Sequence, residues 1–332
     1  TIAEDPEDTQ RYLLLAEFLS AKRDKQAAID ELKQVVQRDP NFTDLQFHLI
    51  NMYLADGQKE EARALLSGII DSHGVEPAGL KARIYLAQMI AAEDPESERL
   101  NVLIEEVLKE NPRDNDALLL RGRLAIREGG YVQAIGDFRS VLKDQPDSAE
   151  VLRLLAAAHL ANGEPELARD TLMRGVENNP DDADLRLSMA RFLVREKKID
   201  AALEQVDAIL KADQYNEEAR KAKYELLARK GDAAGMEEVT KLMQAGAPEK
   251  DEGYSLEARL RVAQKEYDTA LDILNKVLEK NPDSVQAISA KADVLVEQQK
   301  IVEAISMAEK LQLLLPDSGE GYYRKGRLLQ QQ

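Results

Sequence analysis

Residues 117–149, ALLLRGRLAIREGGYVQAIGDFRSVLKDQPDSA, decide how the rest of the chain is read. Leu118, Leu119, Ala125 and Ile126 recur at helical spacing, Gly129 and Gly130 interrupt them, and Ala134, Ile135, Phe138, Val141 and Leu142 resume the pattern as far as Pro146. The stretch reads as helix, tight turn, helix. A hairpin of two amphipathic helices cannot shelter its own apolar stripe, so it predicts similar neighbours stacked on either side. The residues that follow repeat the Ala, Gly, Ala and Pro punctuation at nearly the same offsets, as a chain copied from one unit must.

The period extends along the chain. Prolines stand at Pro6, Pro40, Pro112, Pro146, Pro180, Pro248, Pro282 and Pro316, mostly at intervals of 34 residues. The interval from Pro180 to Pro248 is doubled and leaves Gln214 in the vacant slot, while Pro77 fills the other gap after a short insertion near residues 72–75. Ten residues after each slot the side chain is small at Ala16, Ala87, Gly122, Ala156, Ala190, Ala258, Ala292 and Gly326, with Ile50 and Tyr224 as exceptions. Alanine returns before the next slot at Ala28, Ala62, Ala134, Ala168, Ala202, Ala270 and Ala304, with Leu100 and Met236 departing. Both positions predict close helix crossings. Asp147 and Ser148, Asp181 and Asp182, and Asp283 and Ser284 stand where a following helix needs side-chain oxygens on its free amides. Gly57, Gly163 and Gly231 occupy the inner turn, where a positive φ suits glycine. No segment alternates with period two, so the fold class is all α.

Composition narrows the partners. A net charge of -17 and a pI near 4.8 weigh against nucleic acid and against anionic lipid surfaces, which require an excess of Lys and Arg. The absence of cysteine removes disulfides, thiolate nucleophiles and Cys-based metal sites, and it suits a reducing or an oxidising compartment equally. The longest nearly apolar run, residues 151–161, is broken by Arg153 and His159 and is too short to span a bilayer, so no direct membrane insertion is expected of this segment. The opening TIAEDPED is not a signal peptide, and any export signal or lipid anchor is expected outside these residues.

A 34-residue helix-turn-helix with small eighth and twentieth residues, a large apolar twenty-fourth (Leu32, Leu66, Phe138, Leu172, Leu274) and proline at the thirty-second resembles the tetratricopeptide repeat. The resemblance covers essentially the whole chain. It is strongest in the fourth to sixth units and weakest in the seventh, with Tyr224, Met236 and Thr240. It implies a right-handed α-α superhelix in one array over residues 1–332, with units at 9–42, 43–79, 80–114, 115–148, 149–182, 183–216, 217–250, 251–284 and 285–318, and a terminal helix at 319–332. It also implies that the first helix of each pair lines a concave groove for a peptide or partner protein, without catalysis or cofactor.

In that geometry residues seven, eleven and fifteen after each slot share one face of the first helix. The first three units contribute Leu13, Phe47, Asn51, Ile84 and Gln88 to it; later units contribute Arg123, Arg127, Arg153, Arg191, Arg195, Lys221, Arg229, Arg259 and Arg327. Such a stripe is expected to receive an acidic peptide segment, or less readily an anionic polymer, because guanidinium groups grip carboxylates bidentately. Glu225 and Asp293 interrupt it. The competing expectation is that these cations pair with neighbouring acids, and that Leu13, Phe47 and Ile84 pack against another repeat. The Lys and Asn pattern of chaperone-binding carboxylate clamps is not matched, since Phe47 precedes Asn51 where that set has Lys.

Other chemistry finds little support. His48, His73 and His159 are scattered without HExxH spacing, and no metal site is expected. The pairs Glu105–Glu106, Asp181–Asp182 and Glu217–Glu218 fit solvated faces and helix starts better than paired acid and base. Gly129 and Gly130 lack the GxxxxGK[ST] context of a phosphate loop, and the sequon at Asn41 is read instead through Thr43 as a helix cap.

Two function classes follow. One is a non-catalytic scaffold for partner proteins within a larger bacterial assembly; the other is the recognition segment of an enzyme whose catalytic domain lies outside these residues. Tyr322, Leu328 and Leu329 in the last helix leave self-association through the array ends as a third expectation. The Ala-, Leu- and Gly-rich style is similar to the repeat lipoproteins and scaffolds of exopolysaccharide synthesis and export, including the PEP-CTERM system. That likeness implies the cell envelope, or periplasm, in preference to the cytoplasm.

Overall fold

The computed structural model describes residues 8–330, so Pro6 and residues 331–332 of the expected terminal helix lie outside the described residues. Nineteen α-helices, and no strand, occur among the described residues. They fall into two compact bodies, divided between Thr171 and Leu172. The first holds α1 (Thr9–Lys22), α2 (Lys25–Arg38), α3 (Thr43–Ala55), α4 (Lys59–His73), α5 (Pro77–Glu93), α6 (Glu98–Glu110), α7 (Asn115–Glu128), α8 (Tyr131–Asp144), α9 (Ala149–Ala161) and the start of α10 (Pro165–Asn178). The second holds the rest of α10 and α11 (Ala183–Arg195), α12 (Ile199–Ala212), α13 (Glu217–Lys230), α14 (Ala233–Gly246), α15 (Glu252–Ala263), α16 (Tyr267–Lys280), α17 (Val285–Glu297), α18 (Ile301–Leu314) and α19 (Gly319–Leu329).

Helices pair into hairpins where the small residues stand. Ala28, Ala62, Ala134, Ala202, Ala270 and Ala304 have no exposed surface, and Ala16, Ala87 and Ala258 are equally enclosed. The large residue sixteen positions after the first small one fills the space that its size leaves. Ala258 packs in one cluster with Leu274, and Ala190 in another with Val206. Gly122 instead faces Phe138, so tightly that a Cβ on Gly122 would stand 2.5 Å from the buried ring. The exceptions also have partners: Ile50 is buried, and the Tyr224 hydroxyl donates to the Leu256 carbonyl at 2.8 Å inside a methionine-rich cluster with Met236 and Met243.

The inner turn keeps one geometry through changes of residue. Gly129, Gly163 and Gly231 have φ of 80°, 79° and 77°, and Lys197, Lys265 and Gln299 hold the same slot at 61°, 65° and 59°, where a Cβ is disfavoured. The closing bond persists: the amides of Gly130, Lys198 and Lys300 donate to the carbonyls of Ala125, Leu193 and Leu295 at 2.7, 2.9 and 2.8 Å.

Three local expectations change. Pro77 opens α5 as its first residue, where a missing N–H is harmless, so the boundary drawn between 79 and 80 falls inside that helix. Thr43 lies within α3, whose N-cap is Phe42. Among the expected caps, Asp182 accepts from the Leu185 amide at 2.7 Å and Ser284 from that of Ala287 at 3.2 Å, whereas Ser148 caps α9 without a side-chain bond.

Two substitutions separate packing from turn strain. Gly122→Ala is expected to destabilise by about 1–3 kcal/mol, because Phe138 has no room to yield. Lys265→Gly is expected to stabilise by about 0.5–1 kcal/mol through relief of its left-handed backbone. Urea unfolding of each variant against the parent chain measures both.

Candidate functional site

Within each body several first helices of successive hairpins touch, as α1 does α3, α7 does α9, α11 does α13 and α15 does α17, whereas no successive second helices approach comparably among the described residues. The first helices therefore form the inner side of each stack. Their residues sort by height. Seven positions after the slot, the side chain points into the seam: Phe47 and Ile84 are 5% and 3% exposed, and Leu13, Arg153 and Lys221 are half-buried. Phe47 and Ile84 are thus core residues and not the open apolar patch expected of them. The Phe47 ring lies 5.4 Å from that of Tyr85, with the Lys81 ammonium 4.3 Å from its centroid. Sequence reasoning passed over Lys81 and Tyr85, which flank Ile84, the position equivalent to Phe47 one repeat on, and mark the same seam.

At the eleventh and fifteenth positions Asn51, Gln88, Arg123, Arg127, Arg191, Arg195, Arg229, Arg259 and Arg327 are all exposed. Several of these cations serve the stack. Arg123 pairs with Glu150 of the next first helix, Arg127 donates to the Pro95 carbonyl, and Lys221 pairs with Glu252 at 2.9 Å. The Arg327 guanidinium lies 5.8 Å from the Tyr323 ring centroid. Arg259 lies close enough to Tyr224 for its charge to offset part of the upward push that burial gives the phenol's pKa. Arg153, Arg191, Arg195 and Arg229 make no ion pair or side-chain hydrogen bond among the described residues.

The second body shows a further order. Its eleventh positions run Arg191, Glu225, Arg259, Asp293 and Arg327, alternating in sign from one repeat to the next. Two clefts open on its first-helix side. One, of about 340 Å³, lies between α11 and α13 with Arg191 and Arg229 at its edge. The other, of about 560 Å³, is bounded by α15, α17 and α19, and there Arg324 is engaged by Asp293 at 2.5 Å and Glu320 at 3.1 Å.

The titratable groups hold the fold together. His159 is buried near the end of α9, its Nδ1 2.5 Å from Glu164 Oε2 and its Nε2 3.5 Å from Arg139. Asn162 also donates to Glu164, at 2.8 Å, so the three residues clasp the turn into α10. His73 Nδ1 lies 3.3 Å from Glu76 in the insertion. Among the described residues no three His, Cys, Asp or Glu side chains are grouped to hold a metal, and no helix is long and apolar enough to cross a membrane.

Stacked helical hairpins whose first helices carry an exposed polar face define an α-helical repeat protein. A tetratricopeptide repeat family model matches residues 21–84, 125–185 and 261–327, more than half of the sequence. The chain belongs to the tetratricopeptide repeat family. Cellulose synthase operon protein C of Pseudomonas fluorescens (strain SBW25) is 24% identical over 345 aligned residues, covering 96% of this chain and 26% of that protein. DnaJ homolog subfamily C member 3 of Homo sapiens is 22% identical over 324 residues, covering 93% of this chain and 60% of that protein. The chain therefore spans about a quarter and three fifths of these two relatives. A solved tetratricopeptide repeat protein from Parabacteroides merdae ATCC 43184 superposes with a TM-score of 0.56 at 14% identity, covering 75% of this chain and 98% of that one, which is a likeness of fold alone.

The His159 clasp has a pH signature. Its hydrogen bond holds the Glu164 carboxyl below the ordinary 4.5, so the contribution is complete above that value and is lost as pH falls through the lower native pKa. Wild-type stability is expected to decline across this acid window more steeply than that of Glu164→Gln. Equal slopes in urea titrations between pH 3 and pH 6, a range of about one unit or more on each side, would show that the clasp contributes nothing.

Proposed function

We propose that this chain is a non-catalytic scaffold whose first-helix face holds a partner polypeptide, acidic where it meets the arginines. One observation carries the reading. A chain with a net charge of -17 keeps Arg191, Arg195 and Arg229 exposed on that face without a carboxylate partner among the described residues, while Arg123 and Lys221 on the same face are paired. A guanidinium left exposed and unengaged is available for charge-assisted, bidentate bonds to a carboxylate. Because each hairpin is stabilised through its neighbours, such a face can change residue by residue without loss of the fold.

The setting we propose is a bacterial cell-envelope assembly for exopolysaccharide export. Support comes from the match to a cellulose synthase operon protein along 96% of this chain. That relative is much longer than the matched segment, so the array would act there as one recognition part of a larger protein.

Photo-crosslinking in the native cell tests the scaffold. With benzoylphenylalanine placed at Gln88, Ala157 or Arg191 on the first-helix face, and at Val132 or Met173 on second helices as controls, a discrete polypeptide adduct is expected from the first set. Adducts from the second-helix sites alone would assign recognition to the opposite face and reject the reading.

A further inference from the structure

Resting on the groove reading and going beyond it, we propose that the cleft between α11 and α13 is a specificity subsite for one apolar side chain carried within an acidic segment of the partner. The cleft's floor is formed by Leu187, Ala190, Val194, Ala222 and Leu226. Leu187 and Leu226 are buried, whereas Val194 and Ala222 keep part of their surface open to the cleft. At about 340 Å³ the space sits at the small end of ligand sites, which suits a single aliphatic or aromatic side chain better than a folded surface.

The rim specifies what flanks that side chain. Arg191 and Arg229 border the cleft, and Arg195 follows Arg191 by one helical turn on the same face. None of the three makes an ion pair among the described residues. The cleft also bears two carboxylates, Glu218 in the first turn of α13 and Glu225 midway along it, while its Lys221 is already held by Glu252. Cationic character is thus concentrated at the end marked by Arg195 and Arg229, and the ligand's own carboxylates belong beside its apolar anchor at that end.

The remaining candidates on this face lack one half of the combination. In the cleft bounded by α15, α17 and α19, Arg324 is neutralised by Asp293 and Glu320 and Arg327 lies against the Tyr323 ring, so no two unengaged arginines border it. In the first body Arg123 is paired with Glu150 and Arg127 is tied to the Pro95 carbonyl. An anionic polysaccharide would satisfy the guanidinium groups and leave the apolar floor unfilled, so the combination favours a polypeptide.

Methyl-labelled NMR spectra of the whole chain, read at Val194 and Ala222, test the subsite with synthetic probes. One peptide carries a leucine between Asp-Glu pairs, a second replaces that leucine with serine, and alginate serves as the anionic polymer. The leucine peptide is expected to shift both methyl signals and to bind about tenfold more tightly than the serine peptide, since one anchoring side chain is removed from water. Ala222→Leu should erase that difference by filling the floor, with the other methyl signals unmoved. Arg191→Ser combined with Arg229→Ser should weaken both peptides by about tenfold or more. Equal binding of the two peptides would overturn the subsite and leave the groove reading standing; indifference to the arginine replacements would overturn the groove reading as well. Alginate shifting the same methyl signals as strongly as the leucine peptide would assign the site to a polymer and overturn the proposal.

Discussion

How near two helix backbones can come where only a Cβ, or nothing, stands between them governs the rest of this molecule. Ala134, Ala202, Ala270 and Ala304 are wholly enclosed at equivalent positions, and each lets its hairpin close. Once closed, the hairpin exposes apolar edges on both flanks that only another hairpin can cover. Phe138 against Gly122 shows the tolerance of this arrangement: a ring fits where its neighbour has given up its last carbon. Volume is conserved across the contact, and the spacing between helices is kept.

The turns obey the packing more than they direct it. Glycine is the easy occupant of a left-handed residue, yet Lys197, Lys265 and Gln299 take that conformation and make the same closing hydrogen bond. A turn that overrides the local preference of its own residue is being held by the helices on either side. The vacant proline slot has a similar explanation. At Gln214 the Arg220 side chain donates to the slot's carbonyl at 2.6 Å, as Arg186 does to that of Pro180 at 2.7 Å, so the same side-chain bond holds the loop with or without proline in the slot.

Periodicity made the fold legible because packing constrains the same positions in every repeat, and a substitution in one copy is exposed by the others. The candidate face was legible only in part. Helical spacing grouped Asn51, Gln88, Arg123, Arg191, Arg229 and Arg259, all of which are exposed. It also included Phe47 and Ile84, since the positions four residues earlier look the same in a spacing argument but lean into the seam between first helices. Spacing also cannot say which arginines are engaged. Arg123 and Arg191 are equivalent in the period, and what separates them is Glu150 on the following helix, within reach of one, while the corresponding residue for the other is Glu218, which makes no such pair. Pro77 misled for a related reason: proline ends one helix and begins another equally well, and the insertion before it removed the register that distinguishes the two.

Electrostatics then divides the inner face into charges that serve the stack and charges that do not. Opposite signs at successive eleventh positions, Arg191, Glu225, Arg259, Asp293 and Arg327, keep like charges from facing one another across a repeat. The bonds Arg123–Glu150, Lys221–Glu252 and Arg324–Asp293 join consecutive first helices directly. The guanidinium groups of Arg191, Arg195 and Arg229 remain outside these couplings. At physiological salt the Debye length is about 8 Å, so a carboxylate arriving beside them is governed by those three charges and by Glu218 and Glu225, and only weakly by the chain's total of -17. An acidic chain can therefore offer a local cationic foothold where unengaged arginines border an apolar cleft.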